Sequence, residues 1–435
     1  MFVEKKAPGR GLRDWGERVW GKGQGAHWAP LLALTFLCAG FLFSRTFNNI
    51  GLLMAGLFAI GYPTRLGEAL RLPWMWSFFL LALVPLASDL WLEGAAFNRE
   101  YGVKKTILIL LPLFVAVWRP DSRAVRIAHW IFMGTMAVST FYSLIRFGLE
   151  RASIEQEYSV AKVMPVLAYR DHIRISWATS IACLIAFYEL LREGRTMFRR
   201  ILWAYMILQI AFLHILGAKT GLLSLYLMAF IGGFLYLPGR RRRLGLLSLP
   251  ALAALLYVAY LSLPTLQKRI DYMRYDFGFY SRGEFRPELS DGTRVLSVMA
   301  GMDLVRQYPL TGVGFSRLDD EMQRWYATHA PELAEQHRFL PSSQLLVYAA
   351  SGGILGLLVA LFHLLWPFAD RYMRANRMFW LFFAPVIASY AYEIHLEGQV
   401  RLFLYGFFAA WFWLAARDTA TGPPQKRAKT PKFTH

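Results

Sequence analysis

His337 stands in a polar stretch a few residues ahead of a long apolar run that begins near Gln344. An imidazole titrates near neutral pH and can accept a proton from a hydroxyl, which is the task of a general base. The same ring also suits an ordinary surface histidine, as does that of its neighbour His329. His172 and His395 share the same side of the chain, while His214 and His363 fall in apolar runs as packing residues. Guanidinium groups are dense in the polar stretches: Arg170, Arg174, Arg269, Arg274, Arg282, Arg286, Arg294, Arg338 and Arg401. They keep their charge at physiological pH and bind phosphate in bidentate geometry. As a set they suit a diphosphate; singly, each can equally pair with a nearby acid. Lys219, in ILGAKTGLLSL, lies between two apolar runs with almost no connecting loop. It either snorkels to headgroups or marks a polar site between helices.

What is missing narrows the chemistry. There is no Asp-x-Asp, no phosphate-binding P-loop, no Gly-x-Ser-x-Gly and no His-Glu-x-x-His. A metal-chelated nucleotide-sugar donor lacks its usual carboxylate pair, a P-loop ATP-driven pump is disfavoured, and a zinc site has no motif. No cofactor is expected, so cationic side chains would stabilise a leaving diphosphate in place of a metal. Cys38 and Cys183 both fall in apolar runs and read as small buried residues.

The elements that must position these groups are membrane helices. Hydrophobic residues make up 56% of the chain, and mean hydropathy is +0.33. About twelve segments meet or approach the length a bilayer core demands: 28–44, 46–62, 72–91, 106–118, 124–146, 175–191, 201–218, 221–238, 244–264, 344–367, 378–394 and 401–417. The net charge of +19 concentrates in alternate loops, including Arg192 to Arg200, Arg240 to Arg243 and Arg371 to Arg377. That asymmetry puts both termini in the cytoplasm and makes nucleic acid an unsuitable partner, with anionic membrane lipids as the natural one. The first span reads as an uncleaved anchor. The expected organisation is nine spans with a basic cytoplasmic N-terminus over 1–264, a large outer loop over 265–343, three spans over 344–417, and a basic tail over 418–435. Within the loop, Asp291 or Thr293 is expected to cap a helix running through Val305, and LDDEMQRWYATHA a second one. Arg294 then sits at a helix start, where amides also favour anions.

The stretch TRVLSVMAGMDLVRQYPLTGVGFSRL resembles the Arg-led helix and Pro-Leu-x-Gly-x-Gly of the O-antigen ligase and polymerase family. SSQLLVYAASGGILG is similar to that family's polar pair, amphipathic run and Gly-x-x-Gly, here Gly353 and Gly356. The AKTG turn resembles a site where many members carry arginine before glycine. The family's His-Asn position is occupied by Ser342-Ser343, with His337 five residues upstream. The resemblance implies an all-α polytopic protein of the GT-C-like kind, in a bacterial inner membrane, with its active site in the periplasm. It implies an inverting, metal-independent glycosyltransferase joining undecaprenyl-diphosphate-linked O-antigen to a hydroxyl of lipid A-core oligosaccharide. His337 would take the acceptor proton. Arg294 and Lys219, with Arg338, Arg274, Arg170 and Arg174 beside them, would hold the diphosphate. An O-antigen polymerase and a protein O-oligosaccharyltransferase share the donor and remain open. A lipid or polysaccharide transporter is the alternative outside enzymes.

Overall fold

The computed structural model describes residues 27–91, 99–158, 164–167, 171–237, 245–286 and 289–421, and their regular structure is helical. α1 (Trp28–Leu42) and α2 (Arg45–Gly61) pair closely, and α3 (Pro63–Leu70) leaves α2 at 96°. α4 (Pro73–Trp91), α5 (Arg99–Trp118), α6 (Ser122–Leu149) and a short α7 (Arg151–Glu157) follow. Next come α8 (His172–Arg192), α9 (Thr196–Leu216), α10 (Lys219–Tyr236) and α11 (Ser248–Ser262). The polar stretch supplies α12 (Pro264–Tyr280), α13 (Ser290–Gln307), α14 (Leu318–His329) and a 3₁₀ turn at Glu335–His337. α15 (Gln344–Ala369), α16 (Arg371–Ala375), α17 (Arg377–Ser389) and α18 (Gln399–Thr421) end the bundle.

All twelve apolar segments read from the sequence contain a helix. Five described helices have the length and apolarity to cross a bilayer: α8, α9, α10, Gly245–Ser262 and α15, with the bent α2–α3 pair as a sixth. α1, α17 and the apolar parts of α4 and α18 are shorter. α6 is not among these candidates, and Ser139, Thr140 and Ser143 are among its buried residues. These face protein, and Thr140 donates to Gln209 of α9 at 2.8 Å. A buried hydroxyl with a partner costs little inside a bundle, whereas the same group facing lipid would lose its hydrogen bond.

The polar stretch is a packed layer. Leu318, Met322, Trp325 and Tyr326 of α14 are buried. Trp325 donates its indole N–H to Asp303 of α13 at 3.1 Å, and Tyr326 donates to the Phe339 carbonyl at 3.1 Å. Acids Asp319 to Glu321 occupy the first turn of α14, complementing its dipole.

The start of α13 differs from expectation. Neither Asp291 nor Thr293 caps it: the helix begins at Ser290, and the cap comes from α12. Asp276 accepts from the amides of Asp291 at 2.6 Å and Gly292 at 3.1 Å. This frees the Asp291 carboxylate for Lys219, while Thr293 bonds back to the Ser290 carbonyl. Burial pushes the Asp276 carboxyl above the usual carboxylate range, opposed by those two amides.

The Pro309–Phe315 turn docks onto a break in α15. Gly353 has φ +57°, outside the helical region, so the ladder is interrupted there. The turn supplies the missing donors: Val313 N–H bonds the Ala350 carbonyl at 2.9 Å and Gly314 N–H bonds that of Ser351 at 2.8 Å. Ile354 returns a bond to the Pro309 carbonyl at 2.9 Å. A Cβ on Gly312, at φ +68°, would overlap the Ser351 carbonyl, and one on Gly353 would overlap that of Leu310. The two glycine motifs are therefore one joint.

Candidate active site

Two features bring α8, α10, α12 and α13 together at one end of the bundle. Gly217 takes φ +61° and ends α9, so the chain turns into α10 without a loop. Gly221 of α10 then packs against Ser176 of α8, where any Cβ would meet the Ser176 backbone. Thr220 is thereby placed at the Glu393 carboxylate that Arg174, at the start of α8, also meets.

The turn between α17 and α18 supplies the acid at the centre. Glu393 is buried, with Arg174 at 3.8 Å on one side and Arg294 at 3.5 Å on the other. Thr220 donates to the same carboxylate at 3.3 Å. Arg174 is also held by Asp171 at 3.0 Å, and Arg294 reaches the Tyr392 carbonyl at 3.5 Å. Lys219 pairs with Asp291 and lies within electrostatic reach of Arg269 and Arg294. Arg269 of α12 is 8% exposed, its stem lies against Gly217, and its guanidinium is over the Tyr272 ring at 5.5 Å. Its Nε and Nη1 have no hydrogen-bond partner among the described residues. A buried guanidinium with open donors is costly unless something anionic meets it.

The α17–α18 turn is itself pinned. The Gln344 side-chain carbonyl accepts from the amides of His395 at 2.9 Å and Leu396 at 2.7 Å. Lys105 of α5 donates to the Leu396 carbonyl at 2.9 Å and to Glu397 at 2.6 Å. His395 is buried between Trp177 and Tyr390 and bonds Ser389 at 2.6 Å. Burial, then the nearby charge of Arg174, pushes its imidazole down to about 3.

Of the residues expected to form the site, Arg294, Lys219 and Arg174 come together. Arg170 lies outside the described residues. Arg274 stands apart, largely exposed and 3.7 Å from Asp271. Arg338 bonds the Leu333 carbonyl at 2.8 Å and shapes the turn before α15. His337 is half-buried at the end of the 3₁₀ turn, its ring nitrogen 3.5 Å from Gln336. The other histidine rings near this end are engaged: His329 with the Trp325 carbonyl, His214 with Tyr226, and His395 with Ser389.

The Ser342-Ser343 pair has structural bonds. Ser297, one turn beyond Arg294, bonds Ser342 at 2.9 Å, while Ser343 caps α15 and donates to the Tyr390 carbonyl at 3.0 Å. Five residues of chain span at most about 18 Å, so His337 stays within that reach of Ser342, which bonds the Arg294 helix.

Glu393 and the selection of Arg269 were missed by sequence reasoning. The expected span 378–394 enclosed Glu393, but α17 ends at Ser389. An acid inside an apparent span was the signal that could have found it. Arg269 was one outer arginine among many, and only burial singles it out. Among the described residues no three of His, Cys, Asp and Glu form a metal-ligand group.

No curated protein matches the chain. Residues 204–361 match the Wzy_C family model, O-antigen ligase. The matched stretch contains Lys219, Arg269, Arg294, His337 and the Gly312–Gly353 joint, and leaves Arg174 and Glu393 outside. The resemblance read from the sequence is met within that stretch: residues 204–361 are similar to the O-antigen ligase family.

Proposed function

We propose that this protein is an O-antigen ligase that moves a polysaccharide from undecaprenyl diphosphate to a sugar hydroxyl of lipid A-core oligosaccharide. The observation that carries the reading is the convergence of Lys219, Arg269 and Arg294 from three helices, with Arg269 buried and its donors open. The acceptor hydroxyl attacks the anomeric carbon as the bond from that carbon to the diphosphate oxygen breaks. The electron pair leaves with the diphosphate, and the configuration inverts. His337 takes the hydroxyl proton, its half-exposed ring being free to approach the acceptor. Lys219, Arg269 and Arg294 meet the charge that grows on the leaving oxygen, where such stabilisation lowers the barrier most. Glu393 and Asp171 act as positioning residues: they hold Arg174 and Arg294 in fixed orientation.

In this reading, Arg338, Arg274 and Arg170 lie further along the donor's path, and the GT-C-like bundle offers an apolar cleft to the polyprenyl tail. The alternation of basic loops supports a periplasmic position for the cluster in this reading. The lipopolysaccharide gel profile of a deletion strain tests it. Loss of the whole ladder with accumulation of lipid-linked polymer is expected. A single core-plus-one-repeat band would make the protein a polymerase. An unchanged ladder would favour a protein-directed transferase or a transporter.

A further inference from the structure

At the opposite end of the same helices lies a second, differently built place. Arg174 opens α8 and Arg192 closes it, about 27 Å apart at 1.5 Å per residue. Around Arg192 the ends of α3, α5, α8 and α18 meet the starts of α4, α6 and α17. They enclose a part-open cavity of about 830 Å³, within the range of small-molecule sites. An adjoining cavity of about 360 Å³ shares Arg192.

The lining is amphipathic. Leu72, Val125, Met378 and Phe412 give it an apolar wall, and Arg71 and Arg192 stand on it as cations. The carboxylates there are already engaged. Glu68 pairs with Arg119, and Asp370 accepts from the amides of Tyr372 and Met373 at the start of α16. In the adjoining cavity Glu189 holds His129 at 2.5 Å and Glu193 holds Arg126. Neither Arg71 nor Arg192 makes an ion pair within 4.0 Å among the described residues, and Arg71 lies within electrostatic reach of Glu68, whose own ion pair is with Arg119. Arg192 instead donates to the Tyr188 hydroxyl at 2.7 Å, which fixes its guanidinium at the mouth of both cavities.

We propose that this cavity binds the headgroup of an anionic phospholipid. The phosphodiester would accept from Arg71 and Arg192, and the glycerol and upper acyl carbons would cover the apolar wall. Guanidinium pairs meet phosphate oxygens with good geometry. A free phosphate would satisfy the arginines but leave the wall wet, which is why a lipid fits better. The site is at a ring of helix ends, the depth at which headgroups lie. It stands independently of the transferase reading, since none of its residues belongs to the arginine–glutamate cluster.

The test uses the full chain in detergent after lipid stripping. Thermal unfolding is followed with added phosphatidylglycerol, phosphatidylcholine or inorganic phosphate. Phosphatidylglycerol should raise the melting temperature, and phosphatidylcholine should not. The double variant Arg71→Gln/Arg192→Gln should need about ten-fold more phosphatidylglycerol for the same rise, the loss expected for charged hydrogen bonds. An equal rise with phosphatidylcholine, or an unchanged requirement in the variant, overturns the site. An equal rise with inorganic phosphate overturns the lipid assignment. Native mass spectrometry of the unmodified chain needs no variant. Retention of phosphatidylglycerol against excess phosphatidylcholine supports the site, and absence of that preference overturns it.

Discussion

Arg174 and Arg192 begin and end one helix, and their settings differ in kind. Arg174 is buried between Asp171 and Glu393, and its neighbours Arg294, Lys219 and Arg269 come from three other helices. Arg192 is exposed at the lip of a cavity and leans on a tyrosine of its own helix. A buried cation held by acids keeps one orientation, which a reaction centre requires. An exposed cation whose neighbouring acids, Glu189 and Glu193, are paired with His129 and Arg126 can meet a mobile headgroup. Under the two proposals, the same residue type would serve geometry at one end and adhesion at the other.

The sharpest way to break this contrast is at the reaction end. His337→Ala should lower polysaccharide transfer by about 10²–10⁴-fold, the usual worth of a general base, while the protein still inserts and elutes normally. Normal ligation in a ligase-deficient cell would remove His337 from that role. Arg269→Ala should cost about 10²-fold in transfer, the scale of losing one donor to a developing anion. Arg274→Ala, at an exposed pair, should cost no more than about 2-fold because such pairs contribute little. Equal losses in the two variants would erase the distinction between buried and exposed arginines.

A smaller effect is expected at the joint that supports the cluster. Gly353→Ala forces a side chain into φ +57° and against the Leu310 carbonyl. It should destabilise the protein by about 1–3 kcal/mol, seen as a lower melting temperature in detergent. Unchanged melting would mean that the turn and the break in α15 are not mutually dependent.

The mildest prediction concerns pH. His395 has its folded value near 3 against an ordinary 6.5, so the unfolded chain binds the extra proton between those values. Its contribution to stability is complete above pH 6.5 and falls as pH drops toward 3. Thermal unfolding at a series of pH values should show this acid limb, and His395→Gln should flatten it. An identical slope in the variant would exclude His395 as its source.

Much of the site was legible because its residues carry local signals. Lys219 stands out as a charge in an apolar run, and Arg294 as a cation at a helix start. The PLTGVGF and GGILG motifs announce tight backbone turns through their glycines. Glu393 was hidden because the apolar run of α17 seemed to continue through it, and hydropathy does not detect where Gln344 pulls the chain into a turn. The cap of α13 was misread for a similar reason. Asp291 and Thr293 have the right chemistry, but Asp276, fifteen residues earlier, reaches the same amides.

Composition, periodicity and charge asymmetry determine that the chain is a helical membrane protein with a folded polar layer between α11 and α15. These properties depend on each residue's own hydropathy and neighbours, so one dimension contains them. Which arginines meet, which acid stands between them and which guanidinium keeps open donors are decided only in the tertiary structure. Those outcomes depend on Gly221 letting α10 touch α8, and on Gln344 and Lys105 pinning the turn that carries Glu393. Contacts among residues far apart in the chain set burial, and burial turns an ordinary arginine into a site.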